Sequence, residues 1–209
     1  MAKNLDPKCK QCRREGEKLF LKGDRCFSSK CAMVKRNYPP GAHGAKGRGR
    51  LTSYGQQLRE KQKAKRLYGV LEKQFRNYFK KAVKKTGDTG EILSQSLELR
   101  FDNIVYRLGF AKSRRQARQL INHGHFLVND KKINIPSYQV ESNDVISIRP
   151  RSLETSSFKN LAKNLEKYEV SDWLILDIKE LKGRVATIPK DKALDQGINM
   201  KLIVEYYSR

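Results

Sequence analysis

Apolar positions in this chain are sparse, and their spacing changes from one stretch to the next. Leu71, Phe75, Tyr78, Phe79, Ala82 and Val83 recur at helical spacing within residues 68–85. This predicts an amphipathic helix whose opposite face carries Lys73, Arg76, Lys80, Lys84 and Lys85. Upstream, residues 56–67 hold Arg59, Lys61, Lys63, Lys65 and Arg66 with few apolar partners, so a helix there is expected to have almost no buried stripe. Thr86–Gly87–Asp88–Thr89–Gly90 predicts a turn and a domain boundary. Beyond it, Leu97, Phe101, Ile104, Val105 and Leu108 predict one amphipathic helix stopped by Gly109. Ser113–Arg114–Arg115–Gln116 has the pattern of a capping box, opening a helix that turns Ala117, Leu120 and Ile121 inward and closes at Gly124. The spacing then shortens to that of strands. Phe126–Val128, Ile133–Ile135 and Val145–Arg149 are expected strands, with turns at Asn129–Asp130 and Ser142–Asn143–Asp144. Phe158, Leu161, Leu165 and Tyr168 suggest a helix over 156–168; Trp173–Leu176, Arg184–Ile188 and Ile198–Tyr206 close the chain as strand-like runs. The class is α+β, helical in front and mixed behind.

Charge divides the chain further. Residues 1–85 hold 25 Lys/Arg against 6 Asp/Glu, and residues 86–209 hold 20 against 16, within a net charge of +23. A sustained like-charge field repels itself, and nucleic acid is the common polyanion that rewards Arg stacking and dispersed Lys. The apolar runs are too short to span a bilayer, the N-terminus has no apolar signal-like core, and the basic segments lack the apolar helix face of a membrane-surface binder. A cytosolic chain with reduced thiols is expected. Residues 38–55 read as a basic Gly/Pro loop in which Lys46, Arg48 and Arg50 alternate with glycines. Such a segment suits an extension that orders only on RNA.

The four cysteines fall as Cys9-x2-Cys12-x13-Cys26-x4-Cys31. Two close pairs across a short loop can each hold one edge of a tetrahedral zinc, with thiolate sulfurs at about 2.3 Å. An iron–sulfur cluster and four unrelated reduced thiols remain alternatives. Leu19, Phe20, Leu21 and Phe27 are too few to fold this segment unaided, so a metal would supply folding energy. Arg13, Arg14, Lys35 and Arg36 beside the cysteines, His43 in the loop, and Arg59, Lys61, Lys63, Lys65, Arg66, Arg76 and Lys80 on the two basic helices are candidate RNA contacts. Arg114, Arg115 and Arg118 lie within about 100° on a 3.6-residue helix, next to its N-terminal N–H groups, which marks a phosphate site with Ser113. His123 and His125 suit a packed or RNA-facing turn. No P-loop, nucleophile elbow or dinucleotide fingerprint appears, and Asp102 is expected to form an ion pair with Arg100 or Arg107 rather than to catalyse.

Several of these segments together resemble the family of small ribosomal subunit protein four. They are Cys9–Gly16 with Cys26-x4-Cys31–Ala32–Met33, Tyr38–Gly44, Leu58–Lys63, Tyr68–Gly69 with Gln74–Phe75–Arg76, Leu99–Ala111, Ser113–Leu120 and Val204–Arg209. Phe101 stands where that family usually shows Leu, and Asp130 where it shows Gly. The resemblance implies a zinc-bound N-terminal segment and helical rRNA-binding domain over 1–92, a small αβ RNA-binding module with a short antiparallel sheet over 93–155, and a C-terminal segment, 156–209, folding back on both. It further implies direct binding to small-subunit ribosomal RNA, nucleation of subunit assembly, and a contact with ribosomal protein five near the path by which messenger RNA enters, affecting decoding accuracy. Glu205, Tyr206 and Tyr207 are expected at that contact. An RNA-modifying enzyme carrying the same module is the rival reading, but residues 151–209 are too short for a catalytic domain. A DNA-binding regulator with a zinc module is the other.

Overall fold

The computed structural model describes residues 4–47, 49–159, 161–166, 168–189 and 197–209. In chain order the helices are α1 (Lys8–Glu15), α2 (Asp24–Phe27), α3 (Ala32–Lys35), α4 (Ser53–Leu67), α5 (Glu72–Val83), α6 (Thr89–Glu98), α7 (Phe101–Arg107) and α8 (Arg114–Asn122). Strands β1 (Phe126–Val128), β2 (Lys131–Lys132) and β3 (Val145–Ile148) follow, then α9 (Leu161–Leu165), β4 (Leu174–Asp177), β5 (Lys182–Val185) and α10 (Met200–Tyr207). These form two compact units, Met1–Ser94 with Asp195–Arg209, and Gln95–Leu194. The division differs from the three segments expected. The chain after 156 is shared between the units, because β4 and β5 extend the sheet of the second while α10 packs in the first.

In the first unit, α5 buries Phe75, Phe79 and Ala82 as its spacing predicts, while Val83 is exposed. Helix α4 departs from expectation. It buries Gln57, Lys61, Lys63, Ala64 and Leu67, so its inward face is largely polar and cationic. Thr52 caps it, accepting from Gly55 N at 3.2 Å. Residues 198–206, expected as a strand, belong mostly to α10. Asn199 caps that helix by accepting from Leu202 N at 3.4 Å, and Ile203 is its buried anchor. Local capping and packing on α4 outweigh the β-branched run.

The first part of the Gly/Pro loop, Tyr38–Gly44, is packed on the protein. Arg13 Nε donates to Tyr38 O at 2.9 Å and its guanidinium stacks 4.8 Å from the Tyr38 ring centroid. Gly44 is buried so tightly that a Cβ there would come within 1.8 Å of the Pro39 carbonyl oxygen. Only glycine fits that approach.

The second unit is a five-stranded antiparallel sheet, ordered β2-β1-β3-β5-β4, covered by α7, α8 and α9. Phe101, Ile104, Leu108, Ala117, Ile121, Phe126, Ile146, Leu165 and Val185 are among its core. Phe101 packs edge-on against Phe126 and Tyr138, so the aromatic ring is accommodated where leucine was the expected residue. Asn129 and Asp130 both adopt positive φ, 47° and 62°, giving the tight β1–β2 turn. Strand β2 is Lys131–Lys132; Ile133–Ile135 lies outside the ladder. The single helix expected over 97–108 is broken. Arg100 is extended, forms a bridge to Gln139, and separates α6 from α7.

Candidate nucleic-acid interface

On the first unit, the basic helix α4 turns its cations toward carboxylates of the same unit. Lys61, 3% exposed, pairs with Glu72 at 2.7 Å and lies 4.9 Å from the Tyr206 ring centroid. Lys63, 5% exposed, pairs with Glu17 at 2.6 Å and donates to Gly197 O. Lys65 pairs with Glu72 at 2.9 Å, and Arg59 and Arg66 both meet the buried carboxylate of Glu15. A buried cation must be paired, and these pairs tie α1 and α5 to α4. Expected as RNA contacts, Lys61 and Lys63 are instead internal, and Arg59, Lys65 and Arg66 are half-buried in the same network. Burial alone would raise the Glu72 carboxyl, but hydrogen bonds from Lys61, Lys65 and Tyr207 outweigh it and hold the pKa at about 2.

Tyr206 and Tyr207 are likewise used inside this unit. Tyr207 stacks 4.7 Å from Phe79 and donates its hydroxyl to Glu72 at 2.8 Å; burial, then that bond to Glu72, pushes its own pKa up. Tyr206 packs 5.7 Å from Tyr54, and Glu205, although exposed, accepts from Gln57 at 2.8 Å. Glu205, Tyr206 and Tyr207, expected at a protein interface, thus also clamp α10 onto α4 and α5.

What this network leaves at the surface is a different set. Arg14, Lys35, Arg36, His43, Lys46, Arg50, Arg76 and Lys80 are exposed, whereas Arg13 is half-buried against the loop. Arg48 lies outside the described residues. Leu19 is buried, but Phe20 and Phe27, read as part of the small apolar core, are exposed.

All four cysteines line one cavity of about 20 Å³, together with Leu21, Lys22 and Met33. That is room for a body the size of one water. Lys22 N donates to Cys26 Sγ at 3.4 Å. Burial, more than the nearby thiols, pushes the Cys12 thiol up, and a backbone bond from Leu19 acts the other way. Among the described residues no three His, Cys, Asp or Glu side chains converge as a metal-holding group.

On the second unit, α8 begins at the Ser113 cap its sequence predicts, with Gln116 reaching back to the residue before that cap. Ser113 Oγ accepts from Gln116 N at 3.3 Å, and Gln116 Oε1 accepts from Lys112 N at 2.9 Å. Its three arginines are not equivalent. Arg115 is exposed. Arg114 is held by Asn103, Nε to Oδ1 at 2.8 Å, and stacks 4.6 Å from the Tyr106 ring centroid. Arg118 is 3.5 Å from Asp102. Asp102 also pairs with fully buried Arg100 at 2.6 Å, while Arg107 pairs with Glu98 at 2.9 Å rather than with Asp102. Asn103 completes the network by donating to Glu98. Asn103 and Tyr106, which fix Arg114, were not singled out from the sequence; their i−3 spacing on a short helix gave no sign of a partner eleven residues on. His123 is exposed, but His125 is packed. Its Nδ1 is 2.9 Å from Ser152 Oγ, its ring meets Phe158 edge-on, and burial, then His123 and Arg149, lowers its pKa. His125 is thus a half-buried turn residue whose ring is fixed by Ser152 and Phe158.

Residues 3–98 match the family described as ribosomal protein S4/S9 N-terminal domain, and residues 99–146 match the S4 domain. Small ribosomal subunit protein uS4 of Syntrophomonas wolfei is 52% identical over 209 residues, 100% of both chains. The uS4 of Koribacter versatilis is 52% identical and the uS4A of Alkaliphilus metalliredigens 53%, each again over 100% of both chains.

Proposed function

The chain belongs to the uS4 family of small-subunit ribosomal proteins, and on that premise we propose that it is a non-enzymatic constituent of the cytoplasmic small ribosomal subunit that binds ribosomal RNA directly. The observation that carries this reading is the sorting of cations. With the Lys61, Lys63 and Arg66 group paired internally, Arg14, Lys35, Arg36, Lys46, Arg50, Arg76 and Lys80 still face solvent on the first unit, as Arg115 does on the second. Exposed cations release counterions on meeting phosphate. The early binding of such a surface to a folded multi-helix junction would nucleate assembly of the subunit body. Titrating the full chain against the 5′ region of small-subunit rRNA tests this. Affinity should fall steeply with salt, and tRNA or unstructured RNA should compete poorly; equal competition by both overturns the specific ribosomal role.

Two finer assignments belong to the same reading. Cys9, Cys12, Cys26 and Cys31 hold a structural Zn2+, supported by their shared cavity and the soft chemistry of four thiols. The ion would supply folding energy to the N-terminal segment and no catalysis. Purified protein should carry one zinc per chain and lose it in Cys26→Ser; four freely titrating thiols would contradict it. Ribosomal protein five, near the path of incoming messenger RNA, meets the exposed acidic side chains Glu166, Glu169, Asp172 and Asp177, which phosphate would repel. Substituting these four should change misreading and stop-codon readthrough with rRNA affinity retained; normal fidelity would leave them a solvated surface.

A further inference from the structure

In the cysteine segment the chain turns its aromatic rings the wrong way for a core. Leu19 is buried and Leu21 half-buried, yet Phe20 between them is 37% exposed and Phe27 is 76% exposed. The two rings stack on each other, centroids 5.0 Å apart at 29°. Phe27 therefore covers one face with its neighbour and leaves the other to water. Phe20 reaches this position only by adopting a left-handed backbone, φ 48°, a conformation that disfavours any residue with a Cβ. Strain that holds an apolar ring outward against the hydrophobic effect points to a use for that ring.

The surroundings say what the ring meets. Residues 18–36 contain six Lys/Arg, all exposed, against the single acid Asp24. Two of them, Lys22 and Arg25, flank the turn between the two phenylalanines. An apolar protein patch would not be matched by so one-signed a rim, whereas an unpaired nucleotide offers a flat base and an adjoining phosphate together. We propose that Phe20 and Phe27 form a stacking platform that takes an unpaired nucleobase of the bound RNA, with the neighbouring Lys and Arg side chains holding its phosphates. This rests on the RNA-binding reading and adds to it a non-electrostatic contact.

The test uses the full chain and a transcript of the 5′ region of small-subunit rRNA, titrated over a series of salt concentrations. Phe27→Leu and Phe20→Leu keep apolar bulk but lose the π face. Each should weaken binding by about tenfold at every salt concentration while leaving the slope of log affinity against log salt unchanged. Lys30→Gln should instead lower the slope. Phe27→Tyr should bind like the parent, and Phe27→Trp should show indole quenching on RNA addition beyond that of the parent, whose one tryptophan, Trp173, is buried. Parent-like affinity of both Leu variants overturns the platform, including the case in which they lose association with a protein instead. Failure of the parent to bind the transcript would sink the RNA reading as well, so the two failures are distinguishable.

Discussion

Asp102 shows how much one carboxylate carries in this molecule. It faces fully buried Arg100 at 2.6 Å and reaches Arg118 at 3.5 Å. Asp102→Ala should lower stability by about 3 kcal/mol in urea unfolding, because a buried guanidinium loses a close ion-pair partner. Glu72 makes a second residue-scale prediction. Its folded pKa, about 2, lies below the ordinary carboxylate value, so its stabilisation is complete above roughly pH 4.5 and is lost as pH falls toward 2. Unfolding midpoints measured between pH 6 and pH 3 should decline, and Glu72→Gln should be less stable at pH 6 and show a flatter decline. The local reading of charge succeeded where both partners were near in sequence, as for Arg100 and Asp102. It failed for Lys61, Lys63 and Arg66, because Glu72, Glu17 and Glu15 approach only through tertiary packing.

Elements follow the same rule. Helix α8 was legible because its cap, Ser113 with Gln116, and its stripe, Ala117, Leu120 and Ile121, are written within nine residues. The break between α6 and α7 was not, since Arg100 is held extended by Gln139, far along the chain. Nor was α10, whose strand-like Leu202–Ile203–Val204 run is overruled by the Asn199 cap and by packing on α4. Strand β5 supplies a direct test of how closely α7 lies on the sheet. A Cβ at Gly183 would come within 2.4 Å of Leu108 Cδ1, which is fully buried. Gly183→Ala should cost about 1–3 kcal/mol by overpacking, and Leu108→Val, with less bulk at that contact, should recover part of it in the double variant. Simple additivity in thermal unfolding would contradict the contact. Tyr207→Phe keeps the stack on Phe79 but removes the bond to Glu72; a loss of about 1 kcal/mol is expected, since the pair is partly solvated.

For the whole molecule, the excess positive charge of the first 85 residues has two jobs, and the described cations divide between them. Some are internal struts, and others face solvent where RNA would meet them. The overall basicity and the family resemblance were legible in the sequence; which lysine does which was not, because periodicity on α4 cannot reveal acidic partners on other elements. On the second unit the same sorting leaves Arg115 as the exposed member of its trio. Arg115→Gln should therefore reduce the salt slope of rRNA binding by about one while preserving stability. Lysine-acetylation footprinting of the free chain and of its complex with small-subunit rRNA tests the sorting most directly. Lys35, Lys46 and Lys80 should react in the free protein and be protected by rRNA, while Lys61 and Lys63 should be unreactive in both states. Ready modification of Lys61 and Lys63 in the free chain, followed by their protection on rRNA, would contradict the account.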